Sequence, residues 1–76
     1  MKIKQGIYEH YKGIKVRVIG EALHSETLDE LVVYEKLEDF GGYKKGSLWI
    51  RPKKMFLEKV TINGKNIPRF KFISAK

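Results

Sequence analysis

A small all-β barrel of five to six short strands with one short helical turn is the fold that this chain of 76 residues predicts. Three observations predict it. From Ile14 to His24 the even positions Ile14, Val16, Val18, Ala22 and His24 oppose Lys15, Arg17 and Glu21, the period of two that a half-buried strand requires. Asn63-Gly64 stands between two apolar-rich runs and readily supplies the positive φ angles of a type I′ hairpin turn. Helical patterning is nearly missing: in Ser25 to Leu31, Thr27 and Glu30 have capping-box spacing, but the segment is too short for more than a turn.

The elements follow in order. Gly6 to Tyr11 reads as a first strand, and Lys12-Gly13 turns it into the second. Gly20 falls inside the second strand, where a glycine marks a bulge or sharp bend of the kind small barrels need. Leu31 to Leu37, rich in Leu, Val and Tyr, is the third. The three glycines between Glu38 and Gly46 rule out a stable helix and predict a mobile hairpin loop. Leu48 to Arg51 makes a fourth strand, ended by Pro52, which has no N–H for the ladder. Its Leu48/Ile50 face is apolar and is expected in the core, with Trp49 and Arg51 on the other face. Lys53 to Phe56 suits one helical turn that puts Met55 and Phe56 into the core. Val60 and Ile62 lead into the Asn63-Gly64 turn, and Lys65 to Phe72 leads out, with Phe70 and Phe72 plugging the barrel and Pro68 marking an edge. The strand count and the lone helical turn specify a small SH3-type barrel.

Size and composition bound what such a chain can do. A domain of this length buries only about 60% of its unfolded surface, which favours a binding surface over a deep catalytic cleft. Cysteine is absent, so no disulfide or thiolate metal site can form, and a reducing, cytoplasmic setting fits. Neither a signal-peptide run nor a stretch near the roughly 20 apolar residues of a membrane span occurs, so no membrane partner is expected. The formal net charge of +7 is unevenly placed: +4 over residues 1–20, −6 over 21–39 and +9 over 40–76. The basic C-terminal half could meet nucleic acid or an acidic protein, while the acidic middle opposes a polyanion and many lysines simply solvate a small domain.

Several residue sets combine polar and aromatic chemistry at strand ends. His24, Ser25, Glu26 and Thr27 cluster an imidazole, two hydroxyls and a carboxylate at a strand-to-turn junction. Catalysis by a base and a nucleophile this close in sequence is disfavoured, because such groups are usually brought together from separate segments. A turn capped by Ser25 and Thr27 oxygens explains them more simply. His10 precedes Tyr11-Lys12-Gly13 at the first turn, and the two histidines lack the close spacing of a zinc pair, so no metal or other cofactor is expected. Trp49 and Arg51 share a face and offer a flat ring and a forked cation, with Tyr34, Tyr8 and Tyr11 able to join them. Arg69 stands in Pro68-Arg69-Phe70 after the last hairpin.

These strings also carry a family resemblance. The chain resembles the DUF1653 family, a small bacterial domain of unknown function, over about residues 6–73 of a single domain spanning 1–76. The likeness rests on Tyr8, His10, Tyr11, Lys12 and Gly13; on His24 to Thr27; on Val33 and Tyr34; on Leu48, Trp49, Arg51 and Pro52; on Met55 and Phe56; and on Pro68, Arg69 and Phe70. The resemblance implies an SH3-like barrel and no particular activity. This chain departs from the family pattern at Val16, where an aromatic residue is expected, and in the long loop from Glu38 to Ser47. If that aromatic lines a site in relatives, the site here is altered.

Together these readings describe a small binding module of unidentified ligand whose polar and aromatic surface comprises His10, Lys12, His24, Ser25, Glu26, Tyr34, Trp49, Arg51 and Arg69. Single-stranded nucleic acid or a nucleotide is one alternative ligand, a protein partner another. A small hydrolase using His24 and Glu26 is the weakest reading.

Overall fold

Seven strands and one helical turn follow one another along residues 2–76, the span that this computed structural model describes. They are β1 (Gly6–His10), β2 (Lys15–Leu23), β3 (Glu30–Lys36), β4 (Leu48–Pro52), α1 (Lys53–Phe56), β5 (Lys59–Ile62), β6 (Lys65–Pro68) and β7 (Phe70–Ser74). The first four, joined by β7, form an antiparallel sheet in the order β4-β3-β2-β1-β7, and β5 pairs with β6 in a separate hairpin. Asn63 and Gly64 turn that hairpin at φ of 51° and 79°, as the type I′ geometry demands. The fold is mostly β and antiparallel with a single short helix, but the barrel is not closed, because β4 and β7 remain the outer strands of the sheet. Side chains fill the seam instead. The Arg51 guanidinium of β4 lies 5.4 Å from the Phe70 ring of β7, and Phe56 of α1 stacks on Phe70 at 4.3 Å and 8°.

Register explains which face is core. Residues directly opposite in an antiparallel pair share a face. Tyr8 opposes Val16, Val16 opposes Lys36, Val18 opposes Tyr34, Tyr34 opposes Trp49, Val32 opposes Arg51 and His10 opposes Phe70. One continuous surface therefore carries Tyr8, Val16, Val18, Val32, Tyr34 and Phe70, all buried, with Phe56 and Ile3 packed in. Tyr8 and Phe56 meet edge to face at 5.3 Å.

Four expectations change. The apolar face of β4 is not core: Leu48 and Ile50 are 66% and 59% exposed, whereas Trp49 packs against the core because it must share the face of its partner Tyr34. The alternation of β2 breaks past Val18. The register slips between Val18 and Gly20, so that Gly20 rather than Ile19 faces Val33, and Ala22 and His24 are exposed. Met55 is exposed although its neighbour Phe56 is buried, and Phe72 is left partly open over Tyr8 while Phe70 alone plugs the core. The Glu38–Gly46 segment forms the expected hairpin loop, in which Phe40 and Tyr43 exchange two 2.8 Å backbone bonds and the Asp39 carboxylate accepts the Lys45 N–H at 2.9 Å.

An ion cluster fastens α1 to the sheet. Lys53 Nζ reaches Glu21 at 2.7 Å and Glu30 at 3.5 Å, and Glu21 Oε2 also accepts the Ile3 N–H at 2.8 Å. The hydrogen bond from Lys53, then that from Ile3, holds the Glu21 carboxyl below its ordinary range, and the bond to Glu21 raises the Lys53 ammonium above its own. With α1 fixed, Phe56 is placed beneath the seam.

Candidate functional site

The face that buries the core continues, toward the β1–β2 turn, into a cavity of about 230 Å³. Each strand delivers side chains to it by parity alone. His10 ends β1, Lys12 and Ile14 follow in the turn, and Val16 comes from β2. β3 contributes Tyr34 and Lys36, β4 contributes Trp49 and Arg51, β7 contributes Phe70, and Phe40 reaches in from the hairpin loop.

The cations of this cavity rest on rings. Lys36 Nζ stands 4.7 Å from the Phe40 centroid, 5.0 Å from Trp49 and 5.9 Å from Tyr34. Lys12 Nζ lies 5.8 Å from Tyr11, and Arg51 lies over Phe70 with its Nε buried and unpartnered. Among the described residues no carboxylate pairs with Lys12, Lys36 or Arg51, and none lines the cavity. Burial first, and then the nearby Arg51 charge, lowers the Lys36 ammonium below its usual range. The His10 imidazole is lowered too, by burial and by Arg51, Arg69, Lys12 and Lys36 in that order. Trp49 is a fixed wall: its Nε1–H donates to Ser47 Oγ at 2.8 Å, and Tyr43 braces the ring edge-on at 5.1 Å.

His10 is positioned by its own turn. The Gly13 N–H donates to the His10 carbonyl and the His10 N–H to the Ile14 carbonyl, both at 2.7 Å. Gly13, at φ of 94°, takes the left-handed step that this tight turn needs. Nδ1 of His10 accepts the Lys12 N–H at 3.2 Å, which leaves the neutral ring's proton on Nε2.

Five of the nine residues nominated from the sequence, His10, Lys12, Tyr34, Trp49 and Arg51, thus line one cavity. The other four do not. His24, Ser25 and Glu26 occupy the exposed β2–β3 turn, where Nδ1 of His24 accepts the N–H groups of Glu26 and Thr27 at 3.1 and 3.3 Å. The cap is therefore the imidazole rather than the expected Ser25 oxygen, while Thr27 Oγ1 accepts the Asp29 N–H at 3.2 Å. Glu26 gives the ring its backbone and not its carboxylate, so the geometry lends no support to a His24/Glu26 hydrolase. Arg69 braces the site from behind: it pairs with Glu58 at 3.2 Å, its carbonyl accepts the Tyr11 N–H at 2.9 Å, and its guanidinium lies 5.9 Å from the Tyr11 ring.

Lys36 and Phe40 went unnoticed in the sequence. Lys36 shares the parity of Tyr34, two residues before it, and that was the available signal. Phe40 follows from loop closure, which no local pattern encodes. Val16 and, from the long loop, Phe40 both contribute to the cavity wall.

Fold and cavity define the class: a small antiparallel β domain whose unclosed side presents cations backed by aromatic rings. Residues 6–72 match the DUF1653 family, described as a protein of unknown function, and the chain belongs to that family. A crystal structure of a DUF1653 protein from Bordetella bronchiseptica is similar, with a TM-score of 0.82 and 30% identity, covering 93% of this chain and 87% of that one. Curated proteins gave no match.

Proposed function

We propose that the protein is a binding module whose cavity takes an anionic group carried on a flat or apolar body. One observation carries this reading: Lys12, Lys36 and Arg51 converge on a single ring-walled cavity with no carboxylate among its lining residues. Like charges that line one cavity repel, and the Lys36 ammonium is lowered by burial and then by the Arg51 charge. An incoming anion relieves that repulsion in a partly desolvated place where charge-assisted hydrogen bonds are strong. The aromatic walls give an attached ring or apolar group its contact area. His24, Ser25 and Glu26 are left as turn structure, and Arg69 as a brace for the His10–Tyr11 turn. A thin core without cysteine suits work in the reducing cytoplasm.

The single tryptophan of the chain is a wall of the cavity, so its emission reports on occupancy. Titration with aromatic carboxylates, sulfonates and phosphates is expected to give saturable changes that weaken in Lys36→Met and Arg51→Met, while choline gives none. Silence with every anion at millimolar concentration, from protein with native circular dichroism, would remove the reading.

A further inference from the structure

We infer that the anionic group is the phosphate monoester of a nucleotide, an inference that rests on the anion-binding reading above. Charge and shape single out this chemistry among anions. A carboxylate or sulfonate brings one negative charge and would leave two of the three cations Lys12, Lys36 and Arg51 uncompensated. A phosphate monoester brings about −1.5 to −2 at neutral pH and three strong acceptor oxygens. Those oxygens match the donors at hand: the Arg51 guanidinium, which has no ion-pair partner among the described residues, and the Lys36 and Lys12 ammonium groups. Arginine backed by an aromatic ring suits the forked recognition of phosphate, and Arg51 lies over Phe70.

The walls then select what the phosphate carries. Trp49, pinned by Ser47 and Tyr43 with the Lys36 ammonium over its ring, is a half-buried wall, and with Phe40 it offers a nucleobase aromatic contact area next to the cation that would hold the phosphate. Size limits the ligand. A cavity of about 230 Å³ lies below the roughly 300 Å³ at which drug-sized sites begin, so it admits one phosphate and part of one nucleoside, not a run of strand. Two sources share this chemistry: a free mononucleotide and the 5′-phosphorylated end of a single strand.

The test measures Trp49 emission with AMP, adenosine, benzoate, and a short oligonucleotide bearing either a 5′-phosphate or a 5′-hydroxyl. AMP is expected to bind at least about tenfold more tightly than adenosine or benzoate, the loss expected when a charge-assisted contact is missing. Lys36→Met should weaken AMP by a similar factor, and Lys65→Met, in the remote β5–β6 hairpin, should not. Tenfold preference for the 5′-phosphorylated over the 5′-hydroxyl oligonucleotide supports the strand end as the source. Binding of AMP with neither oligonucleotide supports the free mononucleotide. Equal affinity for benzoate and AMP overturns the phosphate assignment and leaves the anion site standing. Equal binding of both oligonucleotides, tighter than AMP, overturns it in favour of backbone tracking. No response to any anion overturns both readings together.

Discussion

Each histidine of the chain commits one ring nitrogen to the backbone, the work that Asn or Asp does in an Asx turn. The consequence differs with place, since His24 stands in solvent while His10 lines a cationic cavity. A proton on Nδ1 of His10 would face the Lys12 N–H that now donates to it, and burial with the Arg51, Arg69, Lys12 and Lys36 charges already favours the neutral ring. Its folded value thus lies below the unfolded one of 6.5, so the unfolded chain takes up the proton first. The contribution to stability is present above pH about 6.5 and is lost as the pH falls through that value toward the lower folded one. His10→Asn keeps an acceptor where Nδ1 stands and does not titrate. Urea unfolding should show this variant near wild type at pH 7.5 and less sensitive to acid between pH 6.5 and 5. His10→Ala, which removes the acceptor, should lose about 1 kcal/mol at pH 7.5. Equal losses in the two variants would deny the cap any value.

At the level of the element, β4 shows where local pattern stops being informative. Leu48-Trp49-Ile50-Arg51 offers large apolar groups at both parities, so alternation alone could not tell which side faces in. The pairing of Tyr34 with Trp49 decides it. Ile50→Thr on the outward face should therefore change the unfolding free energy by no more than about 0.5 kcal/mol. A loss of several times that size would restore Ile50 to the core. Turns were more legible than faces, because Lys12-Gly13 and Asn63-Gly64 are encoded by the conformational freedom of one or two residues and Gly20 marks the bulge found in β2, whereas the facing of Ala22 and His24 beyond that bulge depends on a partner strand. The join of β1 to β7 was not legible either. Gly6 sits there at φ of 141°, and a β-carbon would strike the Ser74 carbonyl oxygen. Gly6→Ala should cost about 1–3 kcal/mol in urea melts, from backbone strain and displaced pairing. A variant as stable as wild type would show that β7 gives way freely.

Across the whole molecule, most strands and the helical turn could be read from the sequence, but two things could not. The run Lys65 to Phe72, read as one outgoing strand, divides at Arg69 into β6 on the hairpin and β7 on the main sheet, which makes seven strands rather than five or six. The sheet also fails to close, because β4 and β7 do not pair. The cavity inherits that limit: His10, Lys12, Tyr34, Trp49 and Arg51 were visible as chemistry, and Lys36 and Phe40 became neighbours only through register and loop path. Phe56 ties the parts together by touching Tyr8, Tyr34 and Phe70 across the seam. Phe56→Ala should cost about 3–5 kcal/mol, a large share of what so small a core provides, and chemical denaturation should place its midpoint far below that of wild type. A modest loss would mean that the sheet holds without its plug. An unclosed sheet has a colloidal consequence as well. Two outer strands of the main sheet remain to template other chains, one of them carrying bare Leu48 and Ile50, and in a chain of formal charge +7 mutual repulsion opposes such pairing. Salt or a polyanion that masks this charge also lifts the barrier to edge-to-edge assembly, so ionic strength sets how concentrated the protein can become before it associates.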